Sequence, residues 1–247
     1  MSGSPSVAAP PGRGRGTCSA RYAHSRGPLI ARVLGVDACS KGWVGIAHDG
    51  TRCDAYFGAT IAEVVAAGQA DGAFDVVAID IPIGLPDSTS RQADELARRE
   101  LGVRRAVLAD DYASASRINR ELTGSGISMQ AFMLKPKLLE VEAWVLATTR
   151  TVIEVHPELS FTTMAGAPLP TRKATWAGAV ERHRLLRSGG LTIDSELGEV
   201  GRLAGVDDVL DAGAAAWTAQ RYARRVARSR PSPPERFSDW IACAIWT

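Results

Sequence analysis

The chain has 247 residues and a mass of 26.2 kDa, enough for one generous α/β domain or a domain with a large insertion. Hydrophobic residues make up 45% and charged residues 23%, an ordinary globular balance, and the formal net charge of +2 excludes a bulk polycation of the histone type. The charge is uneven: residues 1–36 hold five arginines (Arg13, Arg15, Arg21, Arg26, Arg32) and no acid, so residues 37–247 carry 24 basic against 27 acidic side chains. The pI of about 8.4 therefore belongs to the leading segment, and the body is mildly acidic.

Four cysteines (Cys18, Cys39, Cys53, Cys243) form no CxxC pair, which argues against a disulfide framework or zinc ribbon. No apolar run approaches the roughly 20 residues of a membrane span, and no signal-peptide core follows Met1. These features lead to the expectation of a cytoplasmic protein with reduced thiols and no membrane partner, with homo-oligomerisation left open.

Residues 1–30 are rich in Gly, Pro, Ser and Arg and have no hydrophobic period. They read as a disordered leader or an over-extended start, with a nucleic-acid-binding arm or a transit peptide as the sharper alternatives. The remainder, 31–247, reads as a single domain. Arg32–Asp37 is a short apolar run ending in an acid and predicts a buried strand. Gly42–His48 predicts a second strand, Asp49-Gly50 a hairpin turn, and Cys53–Phe57 a third strand. Thr60 is placed to cap a helix running to about Gly68, with Glu63 completing a capping box. Phe74–Ile79 predicts another buried strand, ending in Asp80, that pairs beside the first.

A helical insertion is expected over about 84–148. It holds a helix capped by Ser90, another near Asp111–Leu122, and a longer one over Gln130–Ala147 bent near Pro136. Arg150–His156 is the next predicted strand. Helices are predicted over Thr175–Leu186, Asp194–Leu203 and Asp207–Arg228, the last ended by Pro231–Pro234. Asp239–Trp246 is predicted as an edge strand.

Acids fall at positions suited to chemistry. Asp37 and Asp80 close two strands expected to be neighbours, where the carboxyl ends of α/β strands collect ligands. Asp208 and Asp211 share one face of the opening turn of the last helix. Clustered carboxylates repel and resist burial, and Mg²⁺ or Mn²⁺ would relieve them in an all-oxygen site. Helix capping competes as an account of Asp207, Asp208 and Asp211. Glu154 and His156 face the same side of a predicted strand and Glu158 follows Pro157, which suits either auxiliary ligation and proton transfer or ordinary hydrogen bonding. Lys135, Lys137, Arg172 and Lys173 are candidate phosphate contacts or simply a solvated face. P-loop, dinucleotide, nucleophile-elbow and HExxH patterns are all missing from the sequence.

The chain resembles the predicted ribonuclease-H-like nuclease family catalogued as domain of unknown function 429. The resemblance is carried in order by Gly35-Val36-Asp37 with Gly42-Trp43-Val44, then by Ala78-Ile79-Asp80-Ile81-Pro82-Ile83-Gly84-Leu85-Pro86. Ala97-Arg98 with Leu101-Gly102, Ser128-Met129-Gln130 and Lys135–Glu142 follow. Glu154-Val155-His156-Pro157-Glu158 with Phe161, Lys173-Ala174-Thr175 with Gly178, and Asp207-Asp208-Val209-Leu210-Asp211-Ala212 complete it. It spans about residues 32–225 and implies a ribonuclease-H-like mixed sheet flanked by helices, with the insertion after the fourth strand capping the site. In Holliday-junction resolvases, acids stand on the first strand, on the fourth and as an Asp-x-x-Asp pair opening the last helix. Asp37, Asp80, Asp208 and Asp211 match those places and would hold the metals. Glu154, His156 and Glu158 would assist catalysis, and Trp43, Gln130, Lys135 and Lys173 would contact substrate.

The leading expectation is a Mg²⁺- or Mn²⁺-dependent nuclease acting on nucleic acid. The alternatives are an enzyme on a small nucleotide-like or phosphorylated ligand and a catalytically inactive binding protein.

Overall fold

A computed structural model of the chain describes residues 31–84, 91–101, 111–124, 126, 129–194, 196–237 and 241–247. The leader over 1–30, the Ser90 cap and Ser128 lie outside these residues. The middle layer is a seven-stranded mixed sheet. Its strands are β1 (Val33–Cys39), β2 (Gly42–His48), β3 (Cys53–Gly58), β4 (Val76–Ile79), β5 (Val152–Val155), β6 (Ser229–Arg236) and β7 (Ala242–Trp246), in the order β3-β2-β1-β4-β5-β7-β6. The first three are antiparallel; β4 runs parallel beside β1, followed by β5 and β7 in parallel, and β6 returns antiparallel.

Helices cover both faces. Between β3 and β4 lies α1 (Ile61–Gln69), whose Thr60 cap accepts a hydrogen bond from the Glu63 amide. Between β4 and β5 the described residues hold α2 (Gln92–Leu101), α3 (Tyr112–Thr123), α4 (Met129–Met133) and α5 (Lys135–Ala147). After β5 come α6 (Pro157–Ala165), α7 (Trp176–Ser188), α8 (Val200–Leu203) and α9 (Val206–Ala223). None of the described helices is long and apolar enough to cross a membrane.

Strand alternation divides the core in two. Leu34 and Val36 of β1 pack with Ile61 and Val64 of α1 and with Leu138 and Val141 of α5. Val33 of β1 faces the other way, against Ala215 and Ala219 of α9. Gly35 shares Val33's face. A Cβ there would lie 2.1 Å from both the Ala212 carbonyl oxygen and the Ala216 amide nitrogen. Glycine lets the two backbones come this close, and the alanines of α9 do the same from the helix side.

Several predicted elements differ from those observed. The expected single helix over Gln130–Ala147 is two, α4 and α5, and Pro136 sits in the first turn of α5 rather than at a bend. Proline fits a first turn, where its missing N–H has no partner to lose, and not a helix interior. The helix expected over Asp194–Leu203 shrinks to Val200–Leu203. The last long helix stops at Ala223. Ser229–Arg236, read as a proline-rich stop, is strand β6. Its prolines are tolerated because β6 is the sheet edge, where one side needs no ladder donors. That leaves β7 as an interior strand between β5 and β6 rather than the edge strand expected over Asp239–Trp246, of which 239–240 lie outside the described residues.

Replacing Gly35 with alanine should force α9 off the sheet and lower the unfolding free energy by about 3 kcal/mol or more, read as a reduced midpoint in urea. An unchanged midpoint would mean that α9 can retreat at little cost.

Candidate metal centre

Asp37 is two residues past Gly35 and therefore also faces α9. The parallel register sets Val36 opposite Ile79, and the Asp80 amide donates to the Val36 carbonyl at 3.0 Å, so Asp37 and Asp80 leave the sheet as neighbours. Asp211 reaches the same point from α9, one residue before the Ala212 carbonyl that abuts Gly35. One carboxylate oxygen from each of Asp37, Asp80 and Asp211 lies within 4.8 Å of the others. Asp37 and Asp211 are buried, with Asp211 only 1% exposed, and Asp80 is half-buried.

The electrostatics are those of acids kept from water. Burial, with Asp80 and Asp211 alongside, holds Asp37 well above the ordinary carboxylate range. Burial pushes Asp211 up to about 7 against the opposing pull of Lys173. The Lys173 ammonium lies 2.6 Å from Asp211 Oδ2, and although burial opposes its charge, the Asp211 carboxylate raises its pKa. Asp37 Oδ1 accepts from the Ala38 amide at 2.7 Å. Asp211 Oδ1, by contrast, is buried with no hydrogen-bond partner, an arrangement that costs free energy unless a ligand completes it. Three hard oxygen donors and an orphaned buried carboxylate oxygen fit a metal ion, and this triad could hold one.

Asp208 stands outside the triad. Its Oδ2 accepts from the Gly205 amide at 3.0 Å, so it caps α9, while its charge still adds to the field at Asp37. Glu154 lies on the opposite face of the sheet. Its neighbours Ile153 and Val155 join the core under α9, which turns Glu154 away, to accept from the Ile83 amide at 2.8 Å and from the buried Arg91 guanidinium. Arg91 also donates to Cys243 Sγ at 2.9 Å. Glu154 therefore pins the segment that follows Asp80 to β5 and β7. His156 has the same parity as Glu154 and takes the N-cap position of α6, its carbonyl accepting from the Leu159 and Ser160 amides. The alternation that recommended Glu154 as catalytic is what turns it away from the triad.

Glu158 is committed as well. Both its oxygens accept from Arg182 Nη2 at 2.9 Å, and Arg182 is itself buried and donates to the Thr171 and Gly178 carbonyls. This lashes the loop carrying Lys173 to α6 and α7. Trp43, expected to touch substrate, is fully buried in the core, with Glu140 accepting from its indole and the Lys137 ammonium 4.5 Å above its ring. Lys137 also donates to the Cys39 and Gly42 carbonyls, which ties the start of α5 to the turn after β1. Lys135 is half-buried in the opening turn of α5. Gln130 falls on α4, and its side chain lies outside the described residues. Arg91 and Arg182 were missed in the sequence, where nothing separates a buried arginine from a surface one.

The model of the family described as "Protein of unknown function (DUF429)" matches residues 35–236. The chain belongs to this family. The match begins two residues before Asp37 and takes in Asp80, Lys173 and Asp211, so the DUF429 region contains the whole triad and excludes the arginine-bearing leader. No curated protein and no solved structure matches the chain. A cleft of about 640 Å³ lined by Ala31, Val76, Thr151, Tyr222 and Trp246 lies at the other end of the sheet, where β1, β4 and β5 begin, and shares no residue with the triad.

Glu154→Gln keeps an acceptor for Ile83 but removes the charge paired closely with buried Arg91, leaving it the longer contact to Asp94 at 3.8 Å. It should cost about 3–5 kcal/mol of stability, measured by denaturant unfolding; a change below about 1 kcal/mol would remove the splint assigned to this pair. A second prediction concerns pH. Asp37 and Asp211 keep protons in the folded state that the unfolded chain has released, so stability of the metal-free protein should fall as pH rises from about 4 to about 7. A divalent cation competes with those protons, so the rise in Tm on adding one should be larger at pH 8 than at pH 5. A pH-independent rise would count against the triad as the binding site.

Proposed function

We propose that the chain is a divalent-metal-dependent phosphodiesterase, a nuclease-like hydrolase built on a ribonuclease-H-like core, with Mg²⁺ or Mn²⁺ as its metal. One observation carries the reading: carboxylate oxygens of Asp37 on β1, Asp80 just after β4 and Asp211 on α9 converge to within 4.8 Å while a buried oxygen of Asp211 has no hydrogen-bond partner. Asp37 on β1, Asp80 after β4 and Asp211 on the last long helix take three of the four places that the family resemblance implies, while the fourth, Asp208, caps α9. All-oxygen donors suit Mg²⁺ or Mn²⁺ rather than softer metals.

Asp37 and Asp211, buried in the core, and the half-buried Asp80 would hold the ion. The bound ion would supply Lewis acidity to the phosphoryl group and make water a stronger nucleophile near neutral pH. The residues around it set position and charge. Lys137 keeps the first turn of α5 against the end of β1, and Lys135 in that turn is the cation assigned to an incoming phosphate. Glu154, through Ile83, and Glu158, through Arg182, hold the segments that carry Asp80 and Lys173. In the reaction, water adds to phosphorus, the phosphorus–oxygen bond to the leaving alcohol breaks, and that oxygen takes up a proton. Nucleic acid is the proposed substrate class.

The test is calorimetry with Mg²⁺ and Mn²⁺ alongside cleavage assays on single-stranded, duplex, hybrid and junction substrates and a small phosphodiester. Wild type should bind the ion and cleave at least one substrate. Asp37→Asn should lower both affinity and rate, the rate on the order of 100-fold or more, since even residues behind a ligand cost 10–100-fold. A wild type that binds neither ion ends the hydrolase reading. Binding with turnover of the small phosphodiester alone would move the substrate to the nucleotide-like class.

A further inference from the structure

Lys173 is placed as a cation of the centre rather than as a free phosphate contact. Its ammonium contacts Asp211 Oδ2 at 2.6 Å, and its side chain is about half exposed, at 45%, while that of Asp211 is 2% exposed. The loop that delivers it is held on two sides. The buried Arg182 guanidinium donates to the Thr171 carbonyl while Glu158 holds the same guanidinium with both oxygens. On the other side, a Cβ on Gly178 would lie 1.9 Å from the Arg172 carbonyl oxygen, so α7 and the loop are in backbone contact. A lysine on so fixed a loop is positioned, not merely nearby.

We infer that Lys173 stands where a second metal ion would otherwise sit, so that the centre takes one divalent cation and uses the Lys173 ammonium as its built-in second positive charge. The inference rests on the metal-dependent reading above and sharpens it. Two ions about 3.5–4 Å apart need a carboxylate that bridges them, one oxygen to each. Two buried carboxylates could do so, and each has one oxygen engaged: Asp211 Oδ2 accepts from Lys173, leaving Oδ1 without a hydrogen-bond partner, and Asp37 Oδ1 accepts from the Ala38 amide. The three oxygens of the triad lie within 4.8 Å of one another, close to the largest separation, about 4.2 Å, that two oxygens at about 2.1 Å from one ion can have. Charge agrees. Asp37, Asp80 and Asp211 bring three negative charges, and one divalent ion with one ammonium brings three positive. Asp208, already bonded to the Gly205 amide, stands one step further out.

The experiment is Mn²⁺ binding to the full chain by calorimetry and by electron paramagnetic resonance, on wild type, Lys173→Met and Lys173→Arg. Wild type should take one equivalent. Lys173→Met should bind the first equivalent at least fivefold more tightly and admit a second. Lys173→Arg, which keeps the charge, should return to one. Two equivalents in wild type would overturn the inference and leave the hydrolase reading intact, as would a Lys173→Met protein whose affinity and stoichiometry are unchanged or whose affinity falls. Should Lys173→Met not fold, the wild-type stoichiometry decides alone. No binding by wild type would overturn both readings together.

Discussion

The centre depends on how closely α9 can approach β1. At Gly35 the two backbones meet at a separation that leaves no room for a Cβ, the would-be atom falling 2.1 Å from main-chain atoms of α9. That contact fixes the helix along and across the strand. Asp37 is one step further along the same strand face, and Asp211 immediately precedes the alanine whose carbonyl abuts Gly35. The meeting of these two acids is therefore set by backbone packing rather than by their own attraction, which is just as well, because as carboxylates they repel. Ala212, Ala215, Ala216 and Ala219, all fully buried, keep the same approach open along the rest of the crossing. The third acid arrives through the sheet, since the Asp80 amide continues the β1–β4 ladder.

A site assembled against electrostatic cost needs supports that do not yield, and two buried arginines provide them. Arg91 and Arg182 each hold a glutamate that the sequence offered as catalytic. Removing a charge from water is expensive unless it is paired and hydrogen-bonded, and both guanidiniums satisfy that condition, Arg91 with Glu154 and Cys243, Arg182 with Glu158 and two carbonyls. Their placement is informative. Arg91 ties down the segment just after Asp80, and Arg182 ties down the loop just before α7 that bears Lys173. Lys137 does the equivalent for α5, bonding two carbonyls of the β1–β2 turn. The elements that enter the centre are thus each anchored one short step away from it.

Much of this was legible in the sequence, and the boundary between what was and was not has physical causes. The β1–β2–β3 meander, α1 with its Thr60 cap, and β4 beside β1 follow from apolar alternation, a turn dipeptide and a capping box, all of them local signals. The convergence of Asp37 and Asp80 could be read from their positions at strand ends. Asp208 and Asp211 could not be told apart, because a capping acid and a buried acid share the same helix turn, and only the depth of the α9 crossing separates them. Glu154 misled for a related reason: alternation states that Glu154 and His156 share a side, but not which side. Strand β6 was hidden by its prolines, whose cost depends on whether a neighbour lies beyond, a property of the completed sheet.

Charge reads differently by region. The arginines of the leader make the chain basic and lie outside the family match, while the folded body is mildly acidic. For the proposed action on phosphates this order is not contradictory. A centre with three carboxylates first attracts cations, and only when they are in place is its field fit for an anion. Lys173 belongs to that accounting as a cation that the fold supplies in advance. Its ammonium lies 2.6 Å from Asp211 Oδ2, and it sits on a loop secured by Arg182. A buried carboxylate with one oxygen committed to a fixed ammonium and the other without a partner is asymmetric by construction. That asymmetry leaves Oδ1 as the Asp211 oxygen free to meet a single ion.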